Sequence, residues 1–142
     1  MIKKILHTGF VVRNRDKSIE FYRDVLGFHV ISEYERKGDG IDRVVGYDNV
    51  HLKSAILDLD GGHVLELIQY LSPTPLNRKT NERNVIGASH LAIQVDDIEK
   101  TLMELTNYGA KVLNQPTEII PGRKACYLQD PDENWLELVQ SD

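Results

Sequence analysis

The 142-residue chain contains one cysteine, Cys126, and no long run of basic or apolar residues. A lone cysteine excludes an intrachain disulfide and the cysteine-rich zinc sites, and it is typical of a protein of the reducing cytoplasm. No basic run exceeds two residues and the net charge is -5, which argues against a nucleic-acid partner. No apolar stretch approaches the roughly 18 residues of a membrane span. We therefore expect a cytoplasmic globular protein, with 41% hydrophobic residues to form a core.

The most informative feature present is an internal repeat. Residues 64–69 (VLELIQ) are matched by residues 135–140 (WLELVQ). A histidine lies upstream of each copy, and His7 and His90 are each followed ten residues later by a lysine. The repeat predicts a first module over 1–71, a linker over 72–84 and a second module over 85–142, which together form a single domain.

Each module is predicted to have the order βαβββ, which places the chain in the α+β class. Alternating and β-branched residues predict strands over 5–12, 29–34, 50–60, 63–70, 89–95, 111–114, 123–129 and 134–140. Asp16 and either Asp96 or Asp97 are the predicted N-caps of the two helices. The charged, glycine-rich residues 35–47 are predicted to form a mobile loop. Since a four-stranded sheet with one helix exposes its other face, neither module is expected to be stable alone.

Alternation along the strands predicts which side chains share a face. Both histidines and both glutamates of the repeat fall on the face that no helix covers, opposite the leucines that flank each glutamate. A carboxylate among apolar neighbours is costly unless it is paired, neutralised or bound to a metal. Two histidines and two carboxylates suit a divalent ion, with nickel, zinc, cobalt, manganese and iron(II) all as candidates. The residues concerned are His7, Glu66, His90 and Glu137.

Three further residues are candidates for substrate binding. Trp135 is expected to line a pocket beside Glu137, Arg123 is a candidate partner for an acidic group, and His51 is a candidate near the pocket. Pairing of the last two strands around a turn at 130–133 places Cys126 opposite Glu137. We expect that cysteine to be a small buried thiol and not a reactive one.

Several motifs together carry a family resemblance. They are His7 at the start of the first strand, IEFY at 19–22 with VLGF at 25–28, LELI at 65–68, HLA at 90–92 with VDD at 95–97, and DPD at 130–132 with EL at 137–138. Over nearly its whole length the chain resembles the vicinal oxygen chelate superfamily. This superfamily includes glyoxalase I, methylmalonyl-CoA epimerase, extradiol dioxygenases, fosfomycin-resistance enzymes and bleomycin-binding proteins. The resemblance implies two βαβββ modules that form a U-shaped mixed sheet around a metal, with the helices on the outer face.

The resemblance also implies a function. His7, Glu66, His90 and Glu137 match the metal ligands of the glyoxalase and epimerase branch. They imply a lyase or isomerase that transfers a proton α to a carbonyl on a small substrate chelated through vicinal oxygens, with Glu66 or Glu137 as the base. The alternatives are a non-catalytic small-molecule (antibiotic) binding protein and an extradiol-type dioxygenase, although the dioxygenases typically keep three ligands and bleomycin-binding members lack the set.

Two more expectations follow from the resemblance and the fold. Val11 lies four residues after His7, where the glyoxalase I pattern usually has an arginine that contacts glutathione, so glutathione is not expected as a co-substrate. The edges and open face of a U-shaped sheet predict a homodimer. Family members take the four ligands either from one chain or from two, and the linker permits both arrangements.

Overall fold

The computed structural model describes residues 1–142, and its strands form two mixed sheets. The chain separates into two compact units, Met1–Asn77 and Arg78–Asp142, and each unit contains one sheet. The predicted α+β class is therefore confirmed. None of the helices combines the length and the apolar character that crossing a membrane requires.

The first unit contains a four-stranded sheet. Its strands are β1 (Thr8–Val11), β2 (His29–Lys37), β3 (His51–Leu59) and β4 (His63–Ser72), in the order β1-β4-β3-β2. β1 runs parallel to β4, and the other pairs are antiparallel. Helix α1 (Arg15–Glu20) follows β1 and continues as a π-helical turn over Phe21–Val25. The prediction of Asp16 as its cap is wrong, because the Asn14 side chain accepts the hydrogen bond from the Lys17 backbone.

The segment predicted as a mobile loop is ordered instead. β2 extends to Lys37, and a second helix, α2 (Asp39–Val45), occupies most of the remainder. The left-handed residue Gly46 ends this helix, since a positive φ is open to glycine without strain. The carboxylate of Asp42 then accepts hydrogen bonds from the backbone N–H groups of Asn49 and Val50 at 3.1 and 2.8 Å. These contacts fix the helix to the start of β3, which charge and glycine content alone did not indicate.

The second unit repeats the plan with one additional strand. Its elements are β5 (Leu91–Gln94), α3 (Ile98–Asn107), β6 (Lys111–Val112), β7 (Thr117–Ile120), β8 (Arg123–Gln129) and β9 (Trp135–Ser141). The order is β5-β9-β8-β6, with β7 also paired to β8, and β5 runs parallel to β9. β7 is the strand that the sequence pattern missed. Asp97, one of the two predicted caps, accepts a hydrogen bond from the Lys100 backbone at 2.9 Å.

A glutamine fixes each main helix to its sheet in the same way. The side-chain oxygen of Gln69 accepts from the Arg15 backbone N–H at 2.8 Å, and that of Gln140 accepts from the Ile98 N–H at 2.9 Å. Each acceptor satisfies one of the N–H groups that a helix N-terminus leaves without an intrahelical partner. These contacts explain the glutamine of the repeated LELxQ pattern. In each unit the glutamine three residues after the glutamate holds the start of the helix.

The register of the β8–β9 hairpin differs from the prediction by one residue. Gln129 pairs with Trp135, so the loop contains residues 130–134 and includes Asn134, which had been assigned to the strand. The Asp130 carboxylate holds this longer loop by accepting from the Asp132 and Asn134 backbones, both at 2.8 Å. Tyr127 therefore pairs with Glu137, and Cys126 pairs with Leu138 on the other face. The predicted position of Cys126 opposite Glu137 is wrong, whereas its burial, at 1% exposed, is confirmed.

The buried thiol gives the first testable prediction. Burial raises the pKa of Cys126 to about 11, with the Glu99 charge as a smaller cause. We expect the native protein to react with a disulfide reagent such as DTNB only on the timescale of unfolding at pH 8. Met103→Cys adds a thiol at a position that is 62% exposed, and it should react within seconds as the matched control. Rapid reaction of Cys126 in the unaltered native chain would contradict its placement in the core.

The same thiol has a consequence for stability. The unfolded chain loses this proton from about pH 8.5, whereas the folded chain retains it to a higher pH. The free energy of unfolding should therefore fall as pH rises from about 8.5 to about 11. This contribution to the slope should disappear in Cys126→Ala.

Candidate functional site

The parallel pairing in the first unit brings His7 to Glu66. Gly9 pairs with Glu66 in the β1–β4 register, and His7, two residues earlier, lies on the same face of the sheet. The His7 Nε2 atom is 3.0 Å from Glu66 Oε2. The glutamate side chain is 11% exposed and the histidine side chain 42%, so one face of the imidazole remains accessible. The first unit thus presents one nitrogen and one carboxylate side by side.

The second unit repeats this arrangement at the equivalent positions. Ala92 pairs with Glu137 in the β5–β9 register, and His90 lies two residues before it. The distance from His90 Nε2 to Glu137 Oε2 is 3.2 Å, with side-chain exposures of 43% and 19%. The two His–Glu pairs therefore agree in strand register, separation and exposure. Within either unit, no group of three or more His, Cys, Asp or Glu side chains is placed to hold a metal ion.

A tyrosine supports each pair, and the sequence analysis identified neither of them. The Tyr34 hydroxyl, on β2, donates a short hydrogen bond to Glu66. The Tyr127 hydroxyl, on β8, lies 3.2 Å from His90 Nε2, and the two rings meet edge to face with centroids 5.1 Å apart. Correct counting of the β8–β9 hairpin would have placed Tyr127 opposite Glu137. Tyr34 carries no comparable signal, because its strand is separated from β4 by β3.

Both tyrosines are held in their neutral form. Burial raises the pKa of Tyr34 above its ordinary value, and the hydrogen bond to Glu66 raises it further. Burial likewise raises the pKa of Tyr127, with the Glu137 charge as the next cause. At neutral pH each hydroxyl retains its proton beside a carboxylate–imidazole pair.

Trp135 lies beside the second pair, next to an arginine that the sequence analysis missed. Its ring is 6.5 Å from that of Tyr127, and the Arg83 guanidinium lies 4.8 Å from its centroid. Trp135 is 4% exposed, and its indole N–H has no hydrogen-bond partner. With Arg83, Ser89 and His90 it lines a small cavity of about 20 Å³. Arg83 comes from the segment predicted as linker, where no pattern marked it.

The other two substrate-binding candidates lie elsewhere. His51 contacts the carboxylate of Glu35, and Glu35 alternates with Tyr34 along β2, so it points away from the face that carries Glu66. Arg123 shares a face with Tyr127 but lies four residues away, which is about 13 Å along a strand. The structure does not bring His51 to Glu66 or Arg123 to Glu137, and a role for either stays a prediction.

The donor set of each pair fits a divalent metal. In each pair the imidazole nitrogen and the carboxylate oxygen are 3.0 or 3.2 Å apart, so both donor atoms would be within reach of one ion. Imidazole nitrogen and carboxylate oxygen are ligands that zinc, nickel, cobalt, manganese and iron(II) all accept. His7 with Glu66, and His90 with Glu137, are the residues that would hold such an ion.

Two mixed sheets, each with a His–Glu pair on its open face, define a class of duplicated βαβββ proteins. Comparison with known proteins identifies the family. A profile described as the Glyoxalase/Bleomycin resistance protein/Dioxygenase superfamily matches residues 4–138, and the chain belongs to this superfamily.

Individual relatives agree with this assignment. The chain is 30% identical to the protein YwkD of Bacillus subtilis over 99% of its own length and 98% of that protein. It is also 30% identical to a probable lactoylglutathione lyase of Vibrio parahaemolyticus, over 97% and 91% of the two chains. A crystal structure of a glyoxalase family protein from Bacillus cereus has the same fold, with a TM-score of 0.90, 22% identity, and coverage of 99% and 95%.

The contact between Tyr34 and Glu66 gives the second prediction. Tyr34→Phe removes only the hydroxyl group. The buried carboxylate of Glu66 then has one hydrogen-bond donor fewer. We expect the free energy of unfolding of the metal-free protein to fall by about 1–3 kcal/mol in guanidinium titrations, as for other hydrogen bonds to charged groups. Tyr108→Phe is the matched control, because Tyr108 is 60% exposed, and it should change stability little. Equal stability of the two variants would contradict a structural role for the Tyr34 hydroxyl.

Proposed function

We propose that this protein is a divalent-metal-dependent enzyme that transfers a proton α to a carbonyl group, on a small substrate bound through two neighbouring oxygens. The observation that carries the proposal is the duplicated His–Glu pair, with N–O separations of 3.0 and 3.2 Å and one accessible histidine in each unit. A single pair of this kind would have an ordinary structural explanation. Two pairs at equivalent register positions, each on an uncovered sheet face, favour a shared ligand role.

The four residues His7, Glu66, His90 and Glu137 are proposed as the ligand set. Each unit provides two of them, and two protein ligands are too few for a stable zinc-type or nickel-type centre. The proposed centre therefore requires both pairs, taken either from one chain or from two copies of it. When bound, the metal supplies Lewis-acid stabilisation of the negative charge that develops on the substrate oxygen.

Proton transfer is assigned to the glutamates. A glutamate carboxylate would accept the proton from the carbon next to the carbonyl. It would return that proton to the neighbouring carbon in a lyase, whereas in an epimerase the second glutamate would deliver a proton to the opposite face of the same carbon. Tyr34 donates to Glu66, and this hydroxyl keeps the carboxylate oriented while its proton load changes. A side-chain hydrogen bond to Glu137 is among the causes that raise the pKa of Tyr127, so the two carboxylates receive their tyrosines from different strands, β2 and β8. One-base transfer would give a lyase of the lactoylglutathione type, as the name of the Vibrio relative suggests, and two-base transfer would give an epimerase.

Metal content is the third prediction. Plasma mass spectrometry of the purified protein should find about one divalent ion per chain, and His90→Ala and Glu137→Ala should each lose it. His29→Ala is the matched control, because that histidine has a side chain that is 64% exposed and lies outside both pairs. No bound metal after incubation with nickel, zinc, cobalt and manganese would overturn the enzyme proposal and leave a ligand-binding protein.

Mixing two variants distinguishes a one-chain centre from a two-chain centre. His7→Ala and His90→Ala chains are unfolded together, refolded as a mixture and assayed for metal. If two chains share each centre, a mixed dimer regains one complete ligand set, because each chain supplies the pair that the other has lost. If one chain provides all four ligands, the mixture stays as empty as the separate variants.

The roles of the glutamates give the fourth prediction. Exchange of the α protons of hydroxyacetone, or of methylglyoxal hemithioacetals, for solvent deuterium is measured by NMR with the metal-loaded protein. Glu66→Gln or Glu137→Gln should slow exchange by about 10²-fold or more while metal content is retained, since glutamine ligates but cannot take the proton. Unchanged exchange in both variants would remove the glutamates from the reaction. Oxygen uptake with a catechol, measured in parallel, would identify an extradiol-type dioxygenase instead.

A further inference from the structure

An apolar pocket lies in the first unit on the same sheet face as the His7–Glu66 pair. Val11, Tyr47, Tyr70 and residues 73–76 line it, and we call it the Val11 pocket. Glu66, Ile68 and Tyr70 alternate along β4 on one face, and Val11 pairs with Ile68. Its volume is about 470 Å³, which lies within the range of about 300–1,000 Å³ that small-molecule sites occupy.

The register places the near edge of the pocket at a short distance from Glu66. Gly9 pairs with Glu66, and Val11 pairs with Ile68 two residues further along, a step of about 7 Å. Gly9 has no side chain to fill the space between them, and a Cβ there would lie 3.5 Å from the Ile68 Cδ1 atom. Its φ is not in the left-handed region, so backbone conformation does not require glycine. The Ile68 side chain therefore lies against Gly9, and the pocket begins next to it, at Val11.

The lining is uncharged and aromatic. No Asp, Glu, Lys, Arg or His side chain contributes to it. The rings of Tyr47 and Tyr70 meet at 88° with centroids 6.3 Å apart, and Gly46 at the end of α2 positions Tyr47 for this contact. Aromatic faces carry negative partial charge and attract ring edges and apolar groups, not anions. Because the lining contains no Lys, Arg or His, it offers a carboxylate no cationic partner.

We propose that the Val11 pocket binds an uncharged aromatic or apolar substituent of the substrate, whose two oxygens are held at the His7–Glu66 pair. This inference rests on the proposed function, because it names the substrate class of the same site. Val11 and Tyr70 would then select the substituent that enters the pocket. A charged group, such as the peptide part of a thiol peptide, would not bind there.

Three hydroxamates that share one chelating head test the proposal. Acetohydroxamate has no arm, 3-phenylpropanohydroxamate has a phenyl group on a two-carbon arm, and succinic monohydroxamate has a carboxylate on a similar arm. Calorimetry with the metal-loaded protein should give about tenfold tighter binding of the phenyl compound than of acetohydroxamate, since its ring removes apolar surface from water. The carboxylate compound should bind no more tightly than acetohydroxamate.

Substitutions test which residues set this preference. Val11→Arg should abolish the phenyl preference and create a preference for the carboxylate arm, and Tyr70→Ala should reduce the phenyl preference to near unity. Val44→Arg is the matched control, because Val44 is 80% exposed on α2 and does not line the pocket. It should retain the tenfold ratio. Circular dichroism of each variant verifies that the fold is intact.

A second measurement separates the pocket from the metal centre. Metal-stripped protein is titrated with 3-phenylpropan-1-ol, which lacks the chelating head, and Val11 methyl signals are followed by NMR. Shifts at Val11 that disappear in Tyr70→Ala support the pocket even if no hydroxamate binds, a result that would overturn only the proposed function. Equal affinity of all three hydroxamates together with no shift at Val11 would overturn the inference. Dissociation of a dimer by Val11→Arg would also overturn it, by assigning this face to a second copy.

Discussion

Parallel pairing of a short first strand with the last strand of each unit is the constraint on which the site depends. Gly9 opposite Glu66, and Ala92 opposite Glu137, place each glutamate beside the histidine two residues upstream. A slip of one residue would send the glutamate to the helix-covered face, because strand side chains alternate. The fully buried leucines on either side of each glutamate prevent this slip, since it would expose them to water. Hydrophobic burial therefore holds the register, and the register positions the two His–Glu pairs.

The glutamine that follows each glutamate by three residues couples this register to the helix. Gln69 and Gln140 point to the helix side of their strands and accept an N–H from the first residue of α1 and of α3. The glutamate and the glutamine that holds the helix are thus carried by one strand segment, on opposite faces. This arrangement explains why the two copies share four letters over five positions, LELxQ, and not only a glutamate. Each letter has a partner: two leucines in the core, a glutamate with histidine, and a glutamine with the helix.

The sequence predicted the parts of the structure that depend on local periodicity and on the repeat. It predicted the α+β class, the main strands, a cap at either Asp96 or Asp97, and the faces of the histidines and glutamates, and the structure selects Asp97 as the cap. It misplaced Cys126 and missed Tyr127, because Asp130 holds a hairpin loop one residue longer than the strand pattern indicated. It assigned residues 35–47 to a loop, because the Asp42 contacts that hold α2 join residues seven and eight apart. Tyr34 contacts Glu66 from a strand that is not its neighbour, and Arg83 contacts Trp135 from the connection between the units. Periodicity along a strand predicts neither contact.

The repeat duplicates the His–Glu pairs but not the residues around them. Gly9 and Ala92 pair with the two glutamates. Two residues further along the strand, the first unit has Val11 and the second has Gln94. The supporting tyrosine comes from β2 in the first unit and from β8 in the second. One unit has an uncharged pocket of about 470 Å³, whereas the other has a cavity of about 20 Å³ beside Arg83 and a buried indole N–H without a partner. Equivalent strands hold the two His–Glu pairs in the same way, and we propose that the unequal residues beside them set which substrate is accepted.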